Sequence, residues 1–200
     1  MKPIERGEVL GLADYETIRD RFRARVIEEK KQRRVALGPN ASCVFENRDT
    51  VLLQIQEMLR TERITREAAV LHEIETYNQL VPGDDELSAT VLVEIDDRDE
   101  RERFLVEAKG LDRAFSVVVD GVACPAVHDA SREHPDRTTA VHYLKFPLPA
   151  AAATALRDVL AKRRPASSVT VEVVADHPRY AARAALPPAA VASIAEDLAG

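Results

Sequence analysis

Leu87-Ser88-Ala89-Thr90-Val91-Leu92-Val93-Glu94-Ile95 is the stretch on which the fold class turns. Its odd positions are all apolar and three of its even positions are polar. Side chains alternate across a strand with a period of two, so this pattern predicts a half-buried β-strand. The residues before it follow a different period. Tyr15, Ile18, Phe22 and Val26 recur at steps of three and four, which predicts a helix over 12–34 with arginines on its other faces. Val35–Gly38 and Ala41–Phe45 flank Pro39-Asn40, a turn signal for a short hairpin. Asn47 stands where an N-cap would open a helix running to about Arg63, with Asp49 favourable to its dipole and Val51, Leu52, Ile55, Met58 and Leu59 as its apolar stripe. Thr65 caps a further helix through Val70, Ile74 and Tyr77, which Pro82-Gly83 closes.

Downstream the alternation continues. A charged helix is expected from Asp99 to Lys109, stopped by Gly110. Phe115–Val119 and Val122–His128 flank Asp120-Gly121, a strong hairpin signal. Thr138–Phe146, the run at Val169, Val171 and Val173, and Tyr180–Leu186 read as strands. Leu156 and Leu160 mark a helix after Pro149, and Pro187-Pro188 opens a terminal one. Helices come first and strands joined by tight turns follow. That order predicts an α+β fold, with a helical N-terminal half packed with a mainly antiparallel β-sheet. We read residues 1–200 as a single α+β domain with a weak subdivision near 82–85.

Composition narrows the class. The chain is 46% hydrophobic and 31% charged, which is globular rather than disordered. It has no Trp and few aromatics, so the core must be aliphatic. Two cysteines, Cys43 and Cys124, do not make a disulfide scaffold and fit a reducing compartment. No secretory leader or membrane-length apolar run is evident, and the expected location is the cytoplasm. The net charge of −6 hides two opposed segments. Arg19–Arg34 is rich in Arg and Lys, and Asp84–Glu107 is rich in Asp and Glu. The two could attract each other, within a chain or across a homo-oligomer. Nucleic-acid binding through Arg19–Arg34 is an alternative, disfavoured by the acidic net charge and the scarcity of stacking aromatics.

Recognisable chemistry is sparse. No phosphate-binding glycine loop, nucleophile elbow or CxxC pair occurs. The histidines are His72, His128, His134, His142 and His177, with no metal-binding helical signature among them. Cys124 and His128 would lie about 13 Å apart along one strand. If that strand paired with Thr138–Phe146, with His128 opposite Thr138, Cys124 would face His142. Such a pair could be a metal half-site or an activated thiol, and more plainly a buried Cys beside a hydrogen-bonded His. The densest polar constellation is Glu46-Asn47-Arg48-Asp49 leading to Gln54 and Glu57. Glu46, Asn47, Arg48, Gln54 and Glu57 are the candidate ligand-binding residues. The plainer account is a capped helix with surface ion pairs. As metal ligands the candidates are Glu46, Glu57, His72 and His177, with Cys124 and His142 as the fallback.

Gly38-Pro39-Asn40, Phe45-Glu46-Asn47-Arg48-Asp49-Thr50-Val51 and Gln54-Ile55-Gln56-Glu57-Met58-Leu59-Arg60 together resemble a bacterial family known as domain of unknown function 3501. Tyr77-Asn78, Glu86-Leu87-Ser88-Ala89-Thr90, Asp136-Arg137-Thr138 and His177-Pro178 extend the resemblance over nearly the whole chain. The family has no established activity to carry over. Its genes often stand beside those of a rubrerythrin-like protein and an iron–sulfur oxidoreductase. The resemblance therefore implies an accessory role in a redox or iron- and peroxide-handling system, with one of those proteins as partner. It also draws attention to the Glu46–Glu57 segment. The alternative is a metal-dependent redox or hydrolytic enzyme that uses this segment with iron or another divalent metal.

Overall fold

The computed structural model describes residues 1–127 and 134–199. In chain order they form α1 (Leu12–Gln32), β1 (Arg34–Ala36), β2 (Ala41–Glu46), α2 (Arg48–Thr61), α3 (Glu67–Asn78) and β3 (Glu86–Val93). Then follow α4 (Arg98–Glu107), β4 (Phe115–Val119), β5 (Val122–Pro125), β6 (Val141–Pro147), α5 (Ala150–Leu160), β7 (Val171–His177), β8 (Tyr180–Ala185) and α6 (Pro188–Glu196). The fold is α+β, and the strands of each sheet pair antiparallel. Helices are not confined to the N-terminal half, since α4, α5 and α6 alternate with the later strands. Among the described residues no helix is long and apolar enough to cross a membrane.

The strands divide into two sheets of four, ordered β1-β2-β3-β6 and β5-β4-β7-β8. Local turn chemistry fixes the hairpins. Asp120 and Gly121 have φ of 46° and 81°, the two positive values that a type I′ turn between β4 and β5 demands. Gly38, with φ of 70°, lets the β1–β2 loop pass close to Tyr180, where an added Cβ would lie 2.8 Å from the phenol oxygen. The sheets are stitched along both margins. Val127 and Lys145 exchange backbone hydrogen bonds of 2.7 and 3.1 Å beside β6. On the opposite margin the Tyr180 hydroxyl donates to the Leu37 carbonyl.

Between the sheets lies the main core. Phe45, Val91 and Phe146 of the first sheet meet Phe115, Val117 and Val173 of the second, with Leu156 and Ile194 from α5 and α6 completing it. Burying each such side chain contributes about 1.5–3 kcal/mol. The other face of the first sheet is covered by α1 and α2, and a second cluster of Val51, Ile55, Leu59, Val70 and Ile74 joins α2 to α3. Strand β3 is therefore not half-buried as its alternation suggests. It lies between β2 and β6 with cover on both faces, and Ser88 and Thr90 are buried beneath the helical layer.

Three segments distant in sequence meet at Arg33, just past α1, whose side chain is 1% exposed. Its guanidinium donates to the Phe45 and Glu46 carbonyls, to the Ser193 carbonyl and hydroxyl, and to the Asp197 carboxylate. Burial pushes Asp197 up to about 6, while the charge of Arg33 pulls it back down. Replacing Asp197 by Ala strands a buried guanidinium, and chemical denaturation at pH 7 should show a loss of about 3–5 kcal/mol. A loss below about 1 kcal/mol would mean that the pair behaves like a surface ion pair.

Candidate functional site

The junction of β2 and α2 builds the floor of the site. Asn47 caps α2: its Oδ1 accepts the Thr50 N–H at 3.0 Å, and the Thr50 Oγ1 accepts the Asn47 N–H at 2.9 Å. This reciprocal box satisfies helix-end donors and fixes the Thr50 side chain. The Thr50 hydroxyl then donates to one oxygen of Glu46, and the Thr90 hydroxyl of β3 donates to the other at 2.7 Å. Glu46 is 5% exposed, and the Lys30 ammonium of α1 stands 3.6 Å from its carboxylate. A buried carboxylate survives only with such partners.

Above Glu46 opens a cavity of about 440 Å³, between the C-terminal part of α1, α2 and the outer face of the first sheet. This is within the range of small-molecule sites, roughly 300–1,000 Å³. Val44, Val51, Leu80 and Thr90 form its buried interior. Ile27, Leu92 and Tyr143 continue the walls, and Val141 lies nearer to solvent. Lys31 and Arg34 stand at the exposed edge, where they pair with Glu28 and Glu94. The Gln54 amide borders the cavity and makes no hydrogen bond among the described residues.

Of the five candidate ligand-binding residues, Glu46 and Gln54 line this cavity, and Asn47, Arg48 and Glu57 do not. Asn47 is the helix cap and also donates to Glu29 of α1. Arg48 holds the N-terminal segment through the Lys2 carbonyl at 3.1 Å and through Glu8. Glu57 accepts a two-pronged Arg19 contact at 2.8 Å on each oxygen, plus the Tyr15 hydroxyl at 2.7 Å. The Arg19 hydrogen bonds chiefly hold Glu57 down at about 2, and burial beside this carboxylate pushes the Tyr15 phenol up. Glu57 thus joins α1 to α2.

Two neighbours that the sequence reading passed over act in the same way. Buried Gln56 grips both backbone groups of Leu10, at 2.7 and 3.2 Å, and Asn78 grips both of Ile4, at 2.8 and 2.9 Å. A primary amide presents a donor and an acceptor side by side, so it pairs with a backbone like another strand. A polar residue on the buried stripe of α2 was the signal for Gln56.

The candidate metal ligands are placed on separate elements. Glu46 ends β2, Glu57 lies in α2, His72 is exposed on α3, and His177 ends β7 in the second sheet. The His177 Nδ1 accepts the Arg179 N–H at 3.1 Å, and its Nε2 lies 3.0 Å from the Lys109 carbonyl. No group of three or more His, Cys, Asp and Glu suited to a metal occurs among the described residues.

The strand pairing expected to bring Cys124 opposite His142 does not form. Strand β6 pairs with β3, which sets His142 opposite Val91, and β5 pairs with β4, which sets Cys124 opposite Val117. The two stretches meet at one antiparallel bridge, Val127 with Lys145, which is not the register that would set Cys124 opposite His142. Strand β5 ends at Pro125, and His128 lies outside the described residues. Burial raises the Cys124 thiol. Burial also lowers His142 to about 4, with its ring 5.5 Å from that of Phe115. Cys43 is likewise a buried free thiol pushed up by burial.

The two charged segments touch each other little within the chain. Among the described residues a single ion pair, Arg34–Glu94, joins them. The basic helix is matched instead by Glu57 and Asp49 of α2, and Asp85, Glu86 and Glu107 pair with Arg157, Lys145 and Arg179.

An α+β protein of two stitched antiparallel sheets, with a helical layer roofing a cavity over a buried glutamate, is the class that this geometry defines. The chain belongs to the family described as "Protein of unknown function (DUF3501)", whose model matches residues 3–198. It is also similar to a solved structure, a novel protein of unknown function from Burkholderia pseudomallei K96243. The identity is 31%, the TM-score is 0.88, and 98% of this chain and 100% of that one are covered. No curated protein matches.

The role of Glu57 is testable by pH. Its carboxyl is lowered in the folded state, so the unfolded chain binds more protons through the acid range. Its contribution is present above about 4.5 and fades as pH falls toward about 2. Glu57→Gln should cost about 1–3 kcal/mol at pH 7 in urea unfolding and should flatten the acid limb between those values. An unchanged acid limb would contradict the assignment.

Proposed function

We propose that this protein acts by binding, as an accessory protein, and that the cavity over Glu46 is its binding site. The observation that carries the reading is the cavity itself, a roofed apolar chamber with a buried, hydroxyl-held carboxylate and one amide, Gln54, that makes no hydrogen bond among the described residues. A carboxylate held by two hydroxyls and faced by Lys30 is suited to orienting a ligand. The rest of the Glu46–Glu57 segment supports the same view, because it holds the roof in place.

The setting we propose is the redox or iron- and peroxide-handling one that the family resemblance implies, including a part in oxidative stress. A rubrerythrin-like protein or an iron–sulfur oxidoreductase would be the partner, and the family resemblance alone supports that choice. The second reading, a metal-dependent enzyme centred on Glu46 or Glu57, keeps the buried carboxylate in its favour. It would need further ligands from outside the described residues or from a partner.

One preparation separates the two. Protein purified without chelators should carry no stoichiometric metal by elemental analysis, and native mass spectrometry should show a small-molecule adduct that Val141→Trp removes. One equivalent of metal, lost in Glu46→Ala or Glu57→Ala, would replace the binding reading with the enzymatic one.

A further inference from the structure

The cavity has a polarity gradient that runs opposite to that of a cation site. Its single acid, Glu46, is the deepest polar group, with 5% exposure and a Thr hydroxyl on each oxygen. Its cations lie outward. The Lys30 side chain is 31% exposed, and Arg34 and Lys31 are 44% and 66% exposed. Between floor and rim the lining is mainly aliphatic, with Val44, Val51 and Leu80 buried, and Thr90, Tyr143 and Gln54 interrupt it. The lining charge is thus one acid against three bases.

We propose, resting on the binding reading above, that the ligand is an amphipathic monoanion. Its apolar body fills the chamber and its carboxylate or similar head sits at the rim on the Lys30 ammonium. Three features fix this orientation. A charged head cannot enter the aliphatic interior without losing its hydration, which is costly. Glu46 repels an anion from the floor. Lys30 has ammonium donors to spare while it stays paired with Glu46, because their 3.6 Å contact is longer than a charge-assisted hydrogen bond, about 2.7–2.9 Å. Lys31 and Arg34 already hold acids in exposed pairs, so they add field at the rim rather than a specific contact. The spare acceptor capacity of Glu46 and the Gln54 amide would then read a hydroxyl or N–H on the ligand body.

Isothermal titration calorimetry with three eight-carbon probes tests the head group: octanoate, 1-octanol and octylamine. Octanoate should bind the full-length protein at one site, with 1-octanol about tenfold weaker or more and octylamine weakest. Lys30→Gln should bring octanoate down to the level of octanol and leave octanol unchanged. Val141→Trp, at an exposed position that accepts the larger ring, should remove both. Thermal melts of the variants check that they are folded. Equal binding of octanoate and octanol, or an octanoate affinity untouched by Lys30→Gln, overturns the anion assignment while the binding reading stands. Tighter binding of octylamine overturns it in favour of a cation held by Glu46. Binding of none of the three removes this proposal and counts against the cavity as the binding site.

Discussion

The Arg33 guanidinium has five N–H groups, and five acceptors meet them: two carbonyls at the end of β2, a carbonyl and a hydroxyl of α6, and the Asp197 carboxylate. A fully buried cation with any of these missing would carry an uncompensated desolvation cost. The end of α1, the end of β2 and the C-terminal helix must therefore be in place together. That single constraint sets α1 at a fixed height above the first sheet. The cavity is the space this height leaves between α1, α2 and the outer face of the first sheet, and two of its lining residues adjoin the guanidinium: Lys30, three residues before Arg33, and Glu46, whose carbonyl accepts from it.

The other polar residues of the same layer are fasteners of a similar kind. Glu57 ties α2 to Tyr15 and Arg19 of α1, Asn47 ties the first turn of α2 to Glu29, and Arg48, Gln56 and Asn78 hold the N-terminal segment against α2 and α3. Side chains that lock helices to one another leave few free to meet a ligand. Glu46 and Gln54 are the polar residues between Glu46 and Glu57 that line the chamber. The concentration of polar residues between Glu46 and Glu57 is thus mostly architecture, arranged around a small functional remainder.

Much of this was legible in the residues. The period-two run at Leu87–Ile95, the Asp120-Gly121 turn, the Asn47 cap and the helix from Leu12 all form close to where local chemistry puts them. What could not be read was which strands pair. Whether β6 joins β5 or β3 depends on the path of the chain between them, and no local pattern encodes it. That is why Cys124 and His142 were set opposite each other in sequence and lie in different sheets in the fold. The cover on both faces of β3 was hidden for a related reason, since Ser88 and Thr90 look solvent-facing until a helical layer is laid over them. Glu46 was singled out within a polar run, but its burial, and hence its difference from Glu57, comes from that layer.

The dependence of the cavity on the Arg33 contacts can be observed directly by hydrogen–deuterium exchange in Arg33→Lys, which keeps the charge and loses the five-donor fork. Exchange should become faster in three places at once, residues 26–36, 44–50 and 190–198, with the pairing of β4 and β7 unaltered. Faster exchange confined to one of these segments, or spread evenly across both sheets, would contradict the claim that this guanidinium holds the roof of the cavity to its floor.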